Sequence, residues 1–280
     1  MKKIALLLAA MGIVSIGAAA EGLKVTNFGQ TIEIENTSGK TQGDIGDTWL
    51  FNNLGMTYGD WTFTIIGGKM WTLDSKDGVQ NTNSRLEMSA VKNYDSYYLG
   101  AKTRFQQDYD RYHLLVGWNY GNVYGDYDVW YESLQGRGTD AFRYEIFPIG
   151  VKFGDYKIAW YVEGIETTGT LKNDQVENYI SNQLRFYAPI YTGEKISFTT
   201  EYRLSLNEDI DYKTRTPHKE FKDFRRHRLY LRSNYAVSES LSLFLNYGYQ
   251  VSHYEAVGGE ADTKSEKYWG DVELGWSYKF

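Results

Sequence analysis

Apolar and polar residues alternate along most of this chain, in segments of about 10 to 14 residues. The clearest case closes it: Val272, Leu274, Trp276, Tyr278 and Phe280 take every second position, with Glu273, Gly275, Ser277 and Lys279 between them. Successive side chains of a strand point to opposite faces, so this run has one apolar and one polar face. Such a strand suits a wall between lipid and water.

The breaks between segments are of two unequal kinds, and their order predicts a topology. Short breaks fall at Gly59-Asp60, Asn93 to Ser96, Gly121 to Asp126, Gly154-Asp155, Thr192 to Glu194 and Ser238 to Ser240. Longer or more charged breaks alternate with them at Asn36 to Asp47, Leu73 to Asn83, Gln107 to Asp110, Gly136 to Asp140, Thr167 to Asp174, Asn207 to Asp223 and Glu255 to Glu266. Six short turns and seven loops separate fourteen strands, with both termini on the short-turn side, as in bacterial outer-membrane barrels. Losing one hairpin near Gly121 to Asp126 or at the early strand Leu23 to Glu35 would give twelve.

Composition agrees with a membrane wall. Aromatics make up 16% of the chain, with 25 Tyr and 8 Trp, while mean hydropathy is −0.52. Tyr and Trp concentrate where one end of a side chain is apolar and the other wet, as at the rims of a membrane barrel. After the N-terminal region no segment approaches about 18 consecutive apolar residues, which excludes helical spanning. A closed sheet is then the way to satisfy every backbone group in lipid. The expected fold class is all-β: a transmembrane antiparallel up-and-down β-barrel.

The N-terminus supplies an address. Met1-Lys2-Lys3 is basic, Ile4 to Ile16 is almost unbroken apolar sequence, and Ala18-Ala19-Ala20 is a small-residue cleavage pattern before Glu21. Residues 1–20 read as a cleaved signal peptide and 21–280 as one barrel domain, without an internal repeat or linker. The chain has no cysteine, hence no disulfide framework. Its net charge of −6 argues against a nucleic-acid partner.

Alternation also assigns the inner wall. Lipid-facing Leu184, Phe186, Phe198, Tyr202, Leu204, Leu229, Leu231 and Tyr235 turn Arg185, Glu201, Arg203, Arg226, Arg228 and Arg232 inward. The same pattern sends Arg85, Glu87, Lys102, Arg104, Arg143, Glu145, Glu163, Asp271 and Glu273 into the lumen. Placing Arg or Lys against lipid at mid-membrane would cost about 2–4 kcal/mol each, so the inward arrangement is favoured. Arg185, Arg203, Arg226, Arg228 and Arg232 predict a basic strip. Asp271, Glu273 and Glu87 come from the other side of the strand order, so opposed strips and a transverse field across the pore are expected. The alternative is that the arginines pair with Glu201 and other neighbours and brace the wall.

Fourteen strands tilted by about 40° close to a backbone diameter of roughly 28 Å, leaving a wet path on the order of 10 to 15 Å. The terminal run Val272, Leu274, Trp276, Tyr278, Phe280 resembles the assembly signal of Gram-negative outer-membrane barrels. With the export signal, strand count and charged lumen, the whole mature chain resembles the monomeric porins of the OmpG type, with the KdgM-like oligogalacturonate porins as near neighbours. The resemblance implies passive diffusion of sugars and other small hydrophilic solutes. It also implies outer-membrane lipid and lipopolysaccharide as surroundings, the barrel-assembly machinery as a partner in biogenesis, and a monomer. OmpG-type porins close at acid pH through two lumenal histidines, and His227 and His253 are the candidates here. Alternation, however, places both with outward residues.

Two other classes remain open: a surface adhesin or structural barrel, and an outer-membrane hydrolase. The latter would need a histidine with partners, and only His113, His218, His227 and His253 are available. His113 beside Arg111 reads as a solvated rim residue and His218 as loop surface. No cofactor motif is present; cysteine is absent, and no pair of histidines sits at helix or hairpin ligand spacing apart from His227 and His253.

Overall fold

The computed structural model describes residues 22–37, 46–74, 78–135, 138–169, 176–212, 219–221, 224–254, 256–257 and 265–280. The expected signal peptide and His218 lie outside the described residues. Among the described residues there are sixteen strands: β1 (Lys24–Thr37), β2 (Gly46–Tyr58), β3 (Trp61–Asp74), β4 (Gly78–Asn93), β5 (Tyr97–Gln106), β6 (Asp110–Tyr120), β7 (Val123–Ser133) and β8 (Ala141–Phe153) form the first half. The second half comprises β9 (Tyr156–Thr167), β10 (Val176–Thr192), β11 (Ile196–Tyr212), β12 (Lys219–Phe221), β13 (Arg226–Ala236), β14 (Leu241–Tyr254), β15 (Ala256–Val257) and β16 (Ser265–Lys279).

Fourteen of these make a closed antiparallel barrel, each paired with its neighbours around the ring. Closure is made by β1 on β16, in register from Asn27↔Lys279 to Thr37↔Trp269. The twelve-strand alternative is thereby excluded. The two short strands β12 and β15 stand outside the ring count: β12 pairs with β11, and β15 with β12.

The tight turns follow from local chemistry. Gly59 and Gly154 have φ of 53° and 61°, in the left-handed region that glycine enters without steric cost, and each is followed by Asp in a two-residue hairpin turn. Aromatics flank these turns: Tyr58 and Trp61 around the first, Phe153 and Tyr156 around the second, all exposed. Tyr94, Tyr97, Tyr120, Tyr191, Tyr235 and Tyr278 are exposed near the same end of the barrel, which makes an aromatic girdle at one rim. Pro148 and Pro189 sit at register shifts, between Ile146/Ile149 and Pro189/Tyr191, where a missing N–H breaks no regular ladder.

The polar stretch Leu73 to Asn83, expected as a loop, is mostly strand. β3 runs through Asp74 and β4 starts at Gly78, with Thr72↔Gln80 and Trp71↔Asn81 paired. Likewise β11 continues through Asn207 to Tyr212, and the expected break Gly121 to Asp126 contracts to a turn at Gly121 and Asn122. The loops expected at Asn207 to Asp223 and Glu255 to Glu266 each hold a short paired strand. In these stretches both faces are polar, so strand pairing persists without the hydropathy contrast that marks a strand in sequence.

Candidate functional site

Inner and outer faces are told apart by contacts that skip strands. Arg226 Nη2 on β13 lies 3.2 Å from Glu163 Oε1 on β9, passing over β11 and β10. A side chain can reach a non-adjacent strand only across the concave side. Register carries that assignment around the ring: Arg226 shares its face with Arg228 and Arg232, Arg228 lies opposite Arg203 and Gln250, and Glu163 lies opposite Glu145 and Ser181. Arg185, Arg203, Arg226, Arg228, Arg232, Glu145, Glu163, Glu201, Asp271 and Glu273 line this face, as do Arg85, Glu87, Lys102, Arg104 and Arg143. The outer face carries exposed Leu229, Leu231, Leu243, Leu245 and Leu274.

Most lumenal charges are paired. Glu201, only 3% exposed, receives Arg203 Nε at 2.5 Å and Arg232 Nη2 at 2.9 Å. Glu132 is bridged by Arg111 Nε at 2.6 Å and Arg143 Nη2 at 2.8 Å, and Arg104 meets Glu87 at 2.6 Å. Asp128 takes both Lys102 at 2.6 Å and His113 Nδ1 at 2.5 Å. Among the described residues Arg185 and Arg228 make no ion pair with a carboxylate. They bond neutral amides instead: Arg185 Nε to Gln183 at 3.3 Å and Arg228 Nε to Gln250 at 2.7 Å.

Aromatics inside the lumen carry these arginines. The Arg185 guanidinium stacks 3.3 Å from the Tyr161 ring centroid, and Arg228 sits 4.3 Å from that of Trp269. Arg203 and Arg232 each lie 4.7 Å from Tyr230, while Arg85 covers Trp49 at 4.5 Å and Phe51 at 5.1 Å. A ring face attracts a cation and orients its plane, so stacking holds a guanidinium at the wall. Composition alone assigns the aromatics to the rims, whereas Trp49, Phe51, Trp130, Tyr161 and Tyr230 are buried on the inner side. Their signal is faint: Trp49-x-Phe51 shares a face with Glu33 once β1 and β2 are aligned at Glu33↔Trp49.

The ring makes only part of the expected opposition of charge strips. Strand order runs β16, β14, β13, β11, β10, so the acidic wall at Asp271 and Glu273 adjoins the arginines rather than facing them. Arg232 Nη1 comes within 3.9 Å of Glu273 Oε2. Glu87 on β4, half the ring away from β11, does stand across the lumen from the arginines and is tied to Arg104. Cations on the other half of the ring, Arg85, Lys102, Arg104 and Arg143, keep both signs around the lumen. Within it a recess of about 250 Å³ is lined by Arg185, Arg203, Arg228, Glu163, Gln183 and Ser205, among others.

The histidines fall differently from the rim reading. His113 is buried and lumenal, stacked on Trp130 at 5.0 Å and bonded to Asp128. His227 lies on the outer face with Leu229, its Nδ1 2.8 Å from the hydroxyl of Tyr202 on β11. The backbone of His253 belongs to β14, and its side chain is outside the described residues. On the outer face of β16, Trp276 packs edge-on against Phe28 at 5.6 Å and donates Nε1–H to Gln30, while Val272, Leu274 and Tyr278 share the same face. Phe280 N–H donates to the carbonyl of Thr26 at 3.1 Å, tying the chain end to β1.

No family model matches the sequence, and no curated protein is similar to it in sequence. Solved structures are similar in fold. One is described as a bacterial polysaccharide outer membrane secretin, with a TM-score of 0.56, 9% identity, and 90% of this chain and 98% of that chain covered. Another is the CymD monoaromatic hydrocarbon channel, with a TM-score of 0.52, 8% identity, and coverage of 93% and 89%. At such identities the likeness concerns the fold alone, a closed antiparallel β-barrel.

Proposed function

We propose that this chain is an outer-membrane porin through which small hydrophilic solutes, sugars and oligosaccharides among them, diffuse passively. The observation that carries the reading is the two-sided wall: a closed ring of fourteen strands, apolar outside and lined inside by paired and unpaired charges. Lumenal ionic side chains of that density belong to a water-filled path, because burying them dry would cost several kcal/mol per ion. The aromatic girdle at the short-turn rim supports placement in a bilayer, with loops outward and both termini at the inner side. The outer-membrane address rests on that girdle, the export signal and the terminal Phe280. The OmpG-type relationship, a monomeric state, and contact with lipopolysaccharide and the assembly machinery belong to the same reading.

Liposomes containing the purified protein, challenged with neutral, anionic and cationic sugars, test it directly. Swelling faster than protein-free liposomes is expected. A barrel silent in this assay and in planar bilayers would instead support the adhesin or structural role. A hydrolase is less well supported: the His113–Asp128 pair is packed among Lys102 and Trp130, without a hydroxyl nucleophile at His113 Nε2 among the described residues.

A further inference from the structure

We propose that Glu33, Asp271 and Glu273 bind a hard divalent cation, calcium in preference to magnesium, on the pore wall where the first and last barrel strands meet. Barrel closure sets Glu33 on β1 directly opposite Glu273 on β16, and Glu35 opposite Asp271. One carboxylate oxygen from each of Glu33, Asp271 and Glu273 lies within 4.8 Å of the others. Ligands on opposite sides of a calcium ion stand about twice 2.3–2.6 Å apart, so this spread fits one ion with water completing its shell. Magnesium keeps several of its waters and is bound through one or two carboxylates, so a set of three carboxylates suits calcium better.

An independent observation marks the place as a binding site. Asp271 is only 4% exposed, and its Oδ1 has no hydrogen-bond donor among the described residues. A buried carboxylate oxygen left unpaired is costly unless something cationic meets it. The neighbouring guanidinium groups are directed elsewhere. Arg228 bonds Gln250 and the Tyr230 hydroxyl, and Arg85 bonds Gln106 while stacking on Trp49. Arg232 reaches Glu273 only at 3.9 Å, on the same Oε2 that already accepts from Asn246 at 2.7 Å. A divalent ion would satisfy Asp271, relieve repulsion between Glu33 and Glu273, and clip the seam of the barrel. It would also cancel the acidic wall beside the arginines, so the calcium-loaded pore favours anions more than the calcium-free pore does.

Terbium is a suitable probe, since it takes oxygen ligands like calcium and emits when neighbouring tryptophan is excited. Trp49 is the cross-strand partner of Glu33, and Trp269 is two residues before Asp271 on the same face. Terbium titrated into the full mature chain in non-ionic detergent should give saturable, tryptophan-excited emission that calcium displaces. Asp271→Asn and Glu33→Gln should each weaken binding by about tenfold or more, while Glu87→Gln, a lumenal carboxylate outside the cluster, should not. Emission that calcium does not displace, or an undiminished affinity in both cluster variants, overturns the proposal. Should Asp271→Asn fail to insert, Glu273→Gln replaces it. In planar bilayers the wild-type reversal potential should move toward anions on adding calcium and return with chelator. Binding is read without conductance, so failure of the porin reading and failure of this one are separable.

Discussion

Arg226 and Glu163 meet across the lumen at 3.2 Å although two strands separate them on the wall. Arg226 Nη2 also bonds Ser181 Oγ at 3.1 Å and approaches Glu208 Oε2 at 3.6 Å, so one guanidinium ties β9, β10, β11 and β13 together. Replacing Arg226 by Ala leaves Glu163 and Glu208 without that cation. A loss of about 1–3 kcal/mol of stability is expected, read as a lower midpoint in denaturant for barrels refolded in detergent. Glu163→Gln, which keeps one hydrogen bond, should lose less.

Tyr230 is the support on which three arginines lean, at 4.7 Å for Arg203 and Arg232 and 6.0 Å for Arg228. It lies flat over Gly248, where an added Cβ would come 2.4 Å from its ring. Gly248→Val should therefore displace the ring and disorder the arginines. The expected result is a broadened distribution of single-channel conductance in a barrel that still inserts. Tyr230→Leu, which removes stacking worth about 0.5–2 kcal/mol per desolvated contact, should act in the same direction.

Arg228 makes no ion pair with a carboxylate among the described residues, so its charge is less closely matched than one held in such a pair. Arg228→Gln should shift the reversal potential in a salt gradient toward cations. Arg104→Gln, which removes a charge already matched by Glu87 at 2.6 Å, should shift it less.

His227 points away from the lumen and is bonded to Tyr202 on β11, not toward β14. Changing His227 and His253 together to Ala should leave any difference in conductance between pH 7.5 and pH 5 unaltered. A pH response abolished by this pair would instead support gating through these two histidines.

Phe280 is 74% exposed beyond the end of β16 and makes a backbone bond to Thr26. Its deletion should lower the yield of membrane-inserted protein while leaving the conductance of inserted channels within wild-type scatter. Heat-modifiable migration on gels, scored against total protein, separates the two effects.

Period two is a local property, and the sequence by itself determined its direct consequences. Which residues face outward and which face the lumen, from Leu229 against Arg228 to Leu274 against Glu273, is legible wherever one side of the wall is apolar and the other polar. Strand number came from the inequality of turns and loops, with Gly59 and Gly154 marking the tight ends. Strand ends were less legible near Leu73 to Asn83, because there both faces are polar. Tertiary structure alone decided which charges share a neighbourhood. Closure brings Glu33 from one end of the chain against Asp271 and Glu273 from the other, and it sets those two carboxylates beside the arginines through Arg232 and Glu273 while Glu87 stays across the ring. It also stacks Arg185 on Tyr161 and Arg228 on Trp269. Such contacts depend on how many strands close the ring and in what register, a condition on the whole chain that no window of alternating residues contains.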